Sequence, residues 1–325
     1  ALRYVAEHGG AIAHRSLARI HLAGGAGAGQ PPSAAGAEAK LLRSQLDEID
    51  ARFDCSDFYL VALLWIWYRY GERISDELRS RIEASALGFR YWIDEPGSDV
   101  MWYFSENHAL LFHVSEYLAG RAFPDSVFPN SGENGTVHAD KARRRLDEWF
   151  SRFDEQGFAE WNSTSYLPID ISGFLALYEL APEHDLRERA RAALDFSFAV
   201  IRKQSYRGVM ACSHGRTYEK ELFGRYTNAT SSLSWIAFGE GYVNQSAIAP
   251  VLFALSSYEP AAQSKDAREL HLSQGKRGFV NVTTYNTEHY LLSTAEDFKP
   301  GRPGYQEHIL QATLGPEALV WVNHP

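Results

Sequence analysis

Residues 56–70 read SDFYLVALLWIWYRY, a segment of helical length that is apolar almost throughout. A helix at a protein surface keeps one polar face, and this segment has none. We therefore predict a helix over 56–70 that is buried on all sides, with the rest of the fold built around it.

The same pattern recurs as an alternation of apolar and charged helical segments. Apolar helices are predicted at 56–70, 107–119 and 164–180, and helices with a charged face at 41–53, 75–92, 139–153 and 184–202. Similar helix ends at 68–71, 117–120 and 178–181 are about 50 to 60 residues apart, the length of a two-helix unit with its loops. A further pair is predicted at 231–239 and 245–258. This regularity favours an (α/α) toroid of helical hairpins over a plain helical bundle.

The composition changes near residue 273, where segments typical of strands begin. They cover 278–285, 288–293, 308–314 and 318–322, separated by turn signals rich in Pro and Gly. Strands after a helical block predict the start of an antiparallel β-sheet domain of the sandwich type, truncated at residue 325. The predicted fold is mainly α within a multidomain α+β chain. Its parts are an N-terminal segment and linker (1–40), the toroid as catalytic domain (41–272) and the sheet domain (273–325).

Composition and charge narrow the classes of function. The net charge of -9 argues against a nucleic-acid partner. The longest apolar run, 59–68, is too short to cross a bilayer. Aromatic residues make up 13% of the chain, which fits either a large aromatic core or a cleft that stacks on sugar rings. The two cysteines, Cys55 and Cys212, form no disulfide framework. One long-range disulfide is the open alternative, and we expect two free buried thiols.

Polar and aromatic residues gather in the loops that lead to the apolar helices. The first loop, 102–108, reads WYFSENH; the second, 160–166, reads EWNSTSY and precedes Asp170; the third, 213–219, reads SHGRTYE. Asp54 and Asp57 occupy the corresponding position before the first apolar helix. In a toroid such loops meet at one end, so we predict a cleft lined by all of them.

These residues resemble the heparinase II/III-like and alginate-lyase-like polysaccharide lyases, which carry an (α/α) toroid followed by an antiparallel β-sandwich. The matching residues are the Asn107-His108 pair, Tyr166 on the next apolar helix, and the segment with His214, Arg216 and Tyr218. The resemblance in architecture spans the chain from about residue 41. It implies a carbon–oxygen lyase of carbohydrate metabolism that cleaves a uronic-acid-containing glycan by β-elimination.

Such a reaction requires particular residue types. Removing the proton beside the uronate carboxylate leaves an enolate, whose charge must be neutralised or hydrogen-bonded, a role expected for Asn107 with Arg216. A base takes the proton and an acid protonates the leaving oxygen. We expect Tyr166 or Tyr218 in these roles, with His108 assisting or acting as the base.

The remaining expectations concern binding. The expected partner is an anionic polysaccharide or oligosaccharide, and no cofactor is expected. The expected location is secreted or periplasmic, because such glycans lie outside the cytoplasm, although no signal peptide is visible. A metal site is not indicated, since His108 lies five residues from His113 and two from Glu106, which is unfavourable for one helix face. Gln306, Glu307 and His308 are expected to reach the cleft from the sheet domain. The predicted substrate-binding residues are Trp102, Glu106, Glu160, Trp161, Asp170 and His214.

Two other functions remain open at this point. Glu106 beside the Asn-His pair keeps a glycoside hydrolase of the toroid type open, with two carboxylates chosen from Glu106, Glu160 and Asp170. A non-catalytic glycan-binding protein is the third reading.

Overall fold

The computed structural model describes residues 1–24, 32–223, 227–261, 270–273, 280–296, 307–315 and 318–324. This part of the chain is mostly helical, with a small antiparallel sheet towards the C-terminus. The prediction of a mainly α chain with added β structure is therefore confirmed.

The helices follow the predicted order closely. The bounds are α1 (Leu2–His8), α2 (Ile12–Ala23), α3 (Pro32–Asp50), α4 (Ser56–Tyr70), α5 (Asp76–Gly88), α6 (Glu106–Ala122), α7 (Gly135–Gln156), α8 (Leu167–Leu180), α9 (His184–Lys203), α10 (Glu219–Phe223), α11 (Ser231–Phe238) and α12 (Ile248–Leu255). The apolar segment at 56–70 is helical over its whole predicted length. Serine caps begin two of the helices, because Ser75 Oγ accepts from Leu78 N and Ser105 Oγ accepts from His108 N.

The predicted linker is wrong over residues 32–39. The Ala, Gly and Pro content predicted a loop there, but α3 begins at Pro32. Proline is well tolerated at the first position of a helix, and four of the eight residues 32–39 are Ala, the strongest helix former. Residues 25–31 of the predicted linker lie outside the described residues.

The chain divides into two compact units, each assembled from separate stretches of sequence. Unit 1 comprises Ala1–Glu148, Ser172–Glu188 and Gln245–Ser257, and unit 2 comprises Trp149–Ile171, Arg189–Asn244 and Tyr258–Pro325. These divisions differ from the predicted boundaries at residues 40 and 272. The N-terminal helices belong to unit 1, where α2 contacts α3, α4 and α12.

In unit 1, α4 is the buried centre. Residues 60–66 are at most 1% exposed. Helices α2, α3, α5, α6 and α12 all contact α4. The predicted burial is thus confirmed for the centre of this helix, whereas Arg69 near its C-terminal end is exposed. The N-terminal residues are held against α6.

In unit 2, five strands form one antiparallel sheet in the order β3-β4-β5-β6-β7. Their bounds are β3 (Leu270–Ser273), β4 (Asn281–Asn286), β5 (Leu291–Glu296), β6 (Glu307–Gly315) and β7 (Ala318–His324). The strand predicted at 288–293 starts too early, because a turn closed by Thr287 N donating to Tyr290 O occupies 287–290. The predicted start at 278 lies outside the described residues.

A short hairpin in unit 2 was not predicted. Strands β1 (Ser205–Tyr206) and β2 (Val209–Met210) are joined by Arg207 and Gly208, which both have positive φ. Two such residues in succession form the turn that matches the natural twist of a β-hairpin.

Every helix among the described residues is too short or too polar to span a lipid bilayer.

A buried histidine in α2 makes a prediction about acid stability. His14 is fully buried, neither ring nitrogen has a hydrogen-bond partner among the described residues, and burial lowers its pKa to about 3. Below pH 6.5 the unfolded chain therefore binds a proton that the folded chain excludes, and stability falls. The expected loss from this group between pH 8 and pH 5 is about 2 kcal/mol.

We expect His14→Leu to remove that part of the pH dependence in urea unfolding followed at pH 8 and pH 5. The exposed residue His8 offers the control His8→Leu, which should leave the difference between the two pH values unchanged. An undiminished difference in His14→Leu would show that other groups cause the acid sensitivity.

Candidate functional site

The predicted site residues divide between the two compact units. Trp102, Glu106, Asn107 and His108 belong to unit 1; Glu160, Trp161, Tyr166, Asp170, His214, Arg216 and Tyr218 belong to unit 2. The convergence of all these loops on one cleft stays a prediction.

His108 lies in the first turn of α6 and is held by a buried carboxylate. Its Nδ1 lies 2.9 Å from Oδ2 of Asp57, which is in the first turn of α4 and fully buried. The imidazole ring stacks on Phe58, with 4.5 Å between ring centroids. Packing and the hydrogen bond together fix the orientation of the ring and leave Nε2 for a second partner.

Acidic groups surround the His108 ring. Burial alone lowers the pKa of His108, but hydrogen bonds and charge from Asp57 and Cys55 outweigh burial and raise it to about 10. Burial raises the pKa of Asp57, against the hydrogen bond and charge of His108. Oδ1 of Asp57 is buried without a hydrogen-bond partner among the described residues. The environment of His108 thus favours positive charge.

Cys55 and Asp54 complete what we call the His108 cluster (Asp54, Cys55, Asp57 and His108). One donor atom each from Asp54, Cys55 and His108 lies within 4.8 Å of the other two. Oδ1 of Asp54 accepts a hydrogen bond of 3.0 Å from the backbone N–H of Trp102. Cys55 has a φ of 67°, a left-handed conformation that is uncommon for a residue with a side chain. Sequence reasoning missed Cys55, because only the packing of α4 against α6 brings it to His108.

The other predicted residues of unit 1 differ in exposure. Asn107 is fully buried, and its Oδ1 accepts a hydrogen bond of 3.0 Å from Ser105 Oγ. Its amide is therefore part of the start of α6 and does not face solvent. Glu106 is half-buried. Trp102 is 54% exposed and meets the edge of the exposed ring of Phe104, so both rings are accessible to a ligand.

A second polar group in unit 1, which was not predicted, is a closed network. His138 Nδ1 lies 2.9 Å from Glu116, and its Nε2 lies 2.7 Å from Ser131. Glu116 also accepts from Arg145, and the carboxylate of Glu95 accepts from Tyr91 N and from Asn130. Both carboxylates and both ring nitrogens thus have hydrogen-bond partners, so this network reads as structural.

Tyr166, Arg216, Tyr218 and Glu160 come together in unit 2, and we call them the Tyr218 cluster. The phenol oxygens of Tyr166 and Tyr218 are 2.5 Å apart, and Arg216 Nη2 donates to the Tyr218 oxygen at 2.9 Å. The Arg216 guanidinium lies 5.6 and 5.3 Å from the ring centroids of Tyr166 and Tyr218. Glu160 Oε1 is 3.6 Å from Arg216 Nη1.

The two phenols have different environments. Burial raises the pKa of Tyr166 well above its ordinary value, and the hydrogen bond with Tyr218 adds to this, against the charge of Arg216. Tyr166 therefore keeps its proton and can donate it to the Tyr218 oxygen. That oxygen then receives two donors, Tyr166 and Arg216, which is the arrangement that stabilises negative charge on a phenol oxygen.

A small surface pocket lies in the same unit. The carboxylate of Glu221 lines it and accepts from Ser165 Oγ and from Tyr218 N. Tyr206, Tyr242 and Arg207 line other parts of the wall. Aromatic and charged groups thus share the wall of this pocket.

Three predicted substrate-binding residues of unit 2 are buried, and their contact with substrate stays a prediction. Trp161 is 2% exposed and packs on Val280, Val282 and Ala295. A Cβ at Gly215 would meet Nε1 of Trp161 at 2.3 Å, so glycine is required there. Asp170, in the first turn of α8, is also buried.

His214 is the third of these residues. Its Nδ1 donates to the backbone oxygen of Asn162 at 2.6 Å, and burial lowers its pKa to about 3. Its ring stacks on His308 of β6, and the two backbones are paired. Glu307 and His308 are themselves buried, so they do not present side chains to solvent, and Gln306 lies outside the described residues.

The two cysteines are both free, as predicted. Cys212 is buried, whereas Cys55 is only half-buried, so the predicted burial of both thiols is wrong for Cys55.

No protein-family model, curated protein or solved structure matches this chain.

The two tryptophans of the predicted site should respond oppositely to truncation. Trp161→Ala removes a core side chain and is expected to lower the free energy of unfolding by about 3–5 kcal/mol. Trp102→Ala removes a largely exposed ring and is expected to change it by less than about 0.5 kcal/mol. Chemical denaturation of both variants measures this. Comparable losses would mean that Trp102 is a packing residue and is not available to a ligand.

Proposed function

We propose that this protein is a polysaccharide lyase that cleaves a uronic-acid-containing glycan by β-elimination. The observation that carries the proposal is the Tyr218 cluster, in which a phenol oxygen is held between a guanidinium and a second phenol. Support for the toroid architecture comes from the alternation of the apolar helices α4, α6 and α8 with the charged helices α5, α7 and α9.

The proposed reaction assigns one role to each side chain. Tyr218, as the phenolate, takes the proton from C5 of the uronate, beside the carboxylate. The electron pair of that C–H bond forms the C4–C5 double bond, and the C4–O bond to the leaving sugar breaks. Tyr166 supplies a proton to the leaving oxygen. Arg216 stabilises the Tyr218 phenolate and the negative charge of the substrate carboxylate.

This proposal moves the carboxylate contact from Asn107 to Arg216. Asn107 is fully buried, whereas the Arg216 side chain is about a third exposed, at 30%. Asn107 and His108 take no part in proton transfer in the proposed reaction. They support the proposal through the resemblance of the Asn-His pair to that of the lyase group.

The exposed rings of Trp102 and Phe104 suit stacking on sugar, which is how proteins commonly bind glycans through flat apolar faces. The substrate class also carries the proposal of a secreted or periplasmic location. The net charge of -9 does not oppose an anionic substrate, because the Arg216 guanidinium supplies positive charge locally.

The test follows ultraviolet absorbance during incubation with a panel of uronate polysaccharides, beside an assay for reducing ends. We expect absorbance from the new conjugated double bond. Tyr218→Phe should lower kcat by about 10²- to 10⁴-fold, because it removes the base. Tyr166→Phe should cause a smaller loss, and Tyr285→Phe, on the exposed surface of β4, serves as the matched control with full activity. Full activity in Tyr218→Phe would overturn the assignment of the base.

The alternatives are distinguished by the same two assays. Reducing ends without absorbance would support a glycoside hydrolase and direct mutation to Glu106 and Glu160, since Asp170 is buried. Retention of a glycan without either signal would support a non-catalytic glycan-binding protein.

A further inference from the structure

The His108 cluster has the chemistry of a metal site. We propose that Asp54, Cys55 and His108 bind a zinc ion in unit 1. The inference is independent of the lyase proposal, because the residues given roles in that reaction belong to unit 2.

The donor atoms select the metal. The three side chains offer a carboxylate oxygen, a thiol sulfur and an imidazole nitrogen, all within 4.8 Å of one another. In a tetrahedral zinc site, ligand atoms at bond lengths of about 2.0–2.3 Å are separated by roughly 3.3–3.8 Å, so small side-chain rotations close the site. Thiolate is a poor ligand for magnesium or calcium, and the mixture of sulfur, nitrogen and oxygen is typical of zinc.

Hydrogen bonds that orient the proposed ligands support the same assignment. A zinc-bound histidine usually donates its other ring N–H to a carboxylate, which is the relation between His108 Nδ1 and Asp57 at 2.9 Å. The Asp54 carboxylate is oriented by the N–H of Trp102. Both hydrogen bonds are present in the structure, so His108 and Asp54 are already oriented.

Charge gives a further, separate argument. Asp57 is a fully buried carboxylate, and its Oδ1 has no hydrogen-bond partner among the described residues. Asp54 and Cys55 lie beside the same imidazole. A buried carboxylate of this kind is costly unless a cation lies near. Zinc at His108 would replace one ring proton and keep positive charge beside Asp57.

The site is open on one side. Asp54 is exposed and Cys55 is half-buried, whereas His108 is buried. Three protein ligands leave the fourth tetrahedral position of zinc for water or for an oxygen of a ligand. The Glu95, Glu116 and His138 network, by contrast, has its donor atoms occupied by hydrogen bonds and is not proposed as a metal site.

The experiment titrates the metal-free protein with Co²⁺ alone and then displaces it with Zn²⁺. We expect one Co²⁺ per chain and a near-ultraviolet charge-transfer band, which reports a sulfur–cobalt bond. Zinc should abolish the band stoichiometrically. The variant Cys55→Ser should lose the band, whereas Cys212→Ser, which changes the buried thiol, should keep it.

Two further variants separate binding from folding. Asp54→Asn changes an exposed residue and should weaken zinc binding by about 10- to 100-fold with an unchanged circular dichroism spectrum. Asp57→Asn, which alters the outer contact to His108, should weaken it by a similar factor. Tyr218→Phe should bind zinc like the original chain, whatever its activity. The proposal is overturned if no band forms in the folded protein, or if the band survives in Cys55→Ser.

Discussion

Burial of the centre of α4 on every side is the constraint on which unit 1 depends. Its central residues are almost inaccessible, and five other helices cover it. Each buried apolar side chain contributes about 1.5–3 kcal/mol, so the helix cannot shift without a large loss. Its N-terminal turn is therefore as fixed as its centre. Cys55 and Asp57 are placed at His108 by this packing, because α4 and α6 are neighbours.

The two clusters differ in the kind of charged group that surrounds the central side chain. In the His108 cluster, acidic groups surround an imidazole and favour positive charge. In the Tyr218 cluster, the Arg216 guanidinium lies against two phenol rings and donates a hydrogen bond to the Tyr218 oxygen. Both are partly shielded from water, where such electrostatic effects are stronger than at an open surface.

The helices were predictable because buried helix faces require apolar residues at a regular spacing, which is visible in the sequence. The apolar run at 56–70 and the charged face of α9 each follow from residue type and spacing. The predicted start of α3 was wrong because proline, which usually breaks helices, stands at the first position of this one. The hairpin at 205–210 carried only a weak signal, because Arg207 is an uncommon residue at a position with positive φ. In the site, the types of residue were predictable, but their exposure was not. Nothing in the motif at 160–166 shows that Trp161 packs on strands more than a hundred residues later.

The unequal exposure of the two thiols has a practical consequence. Cys212 is buried and burial raises its pKa, so it stays in the unreactive thiol form. Cys55 is partly accessible, and the chain has no third cysteine. A maleimide dye or a nitroxide spin label would therefore attach to the metal-free chain at one position, beside His108. The protein thus carries its own attachment point for a spectroscopic reporter, with no need to remove other thiols first.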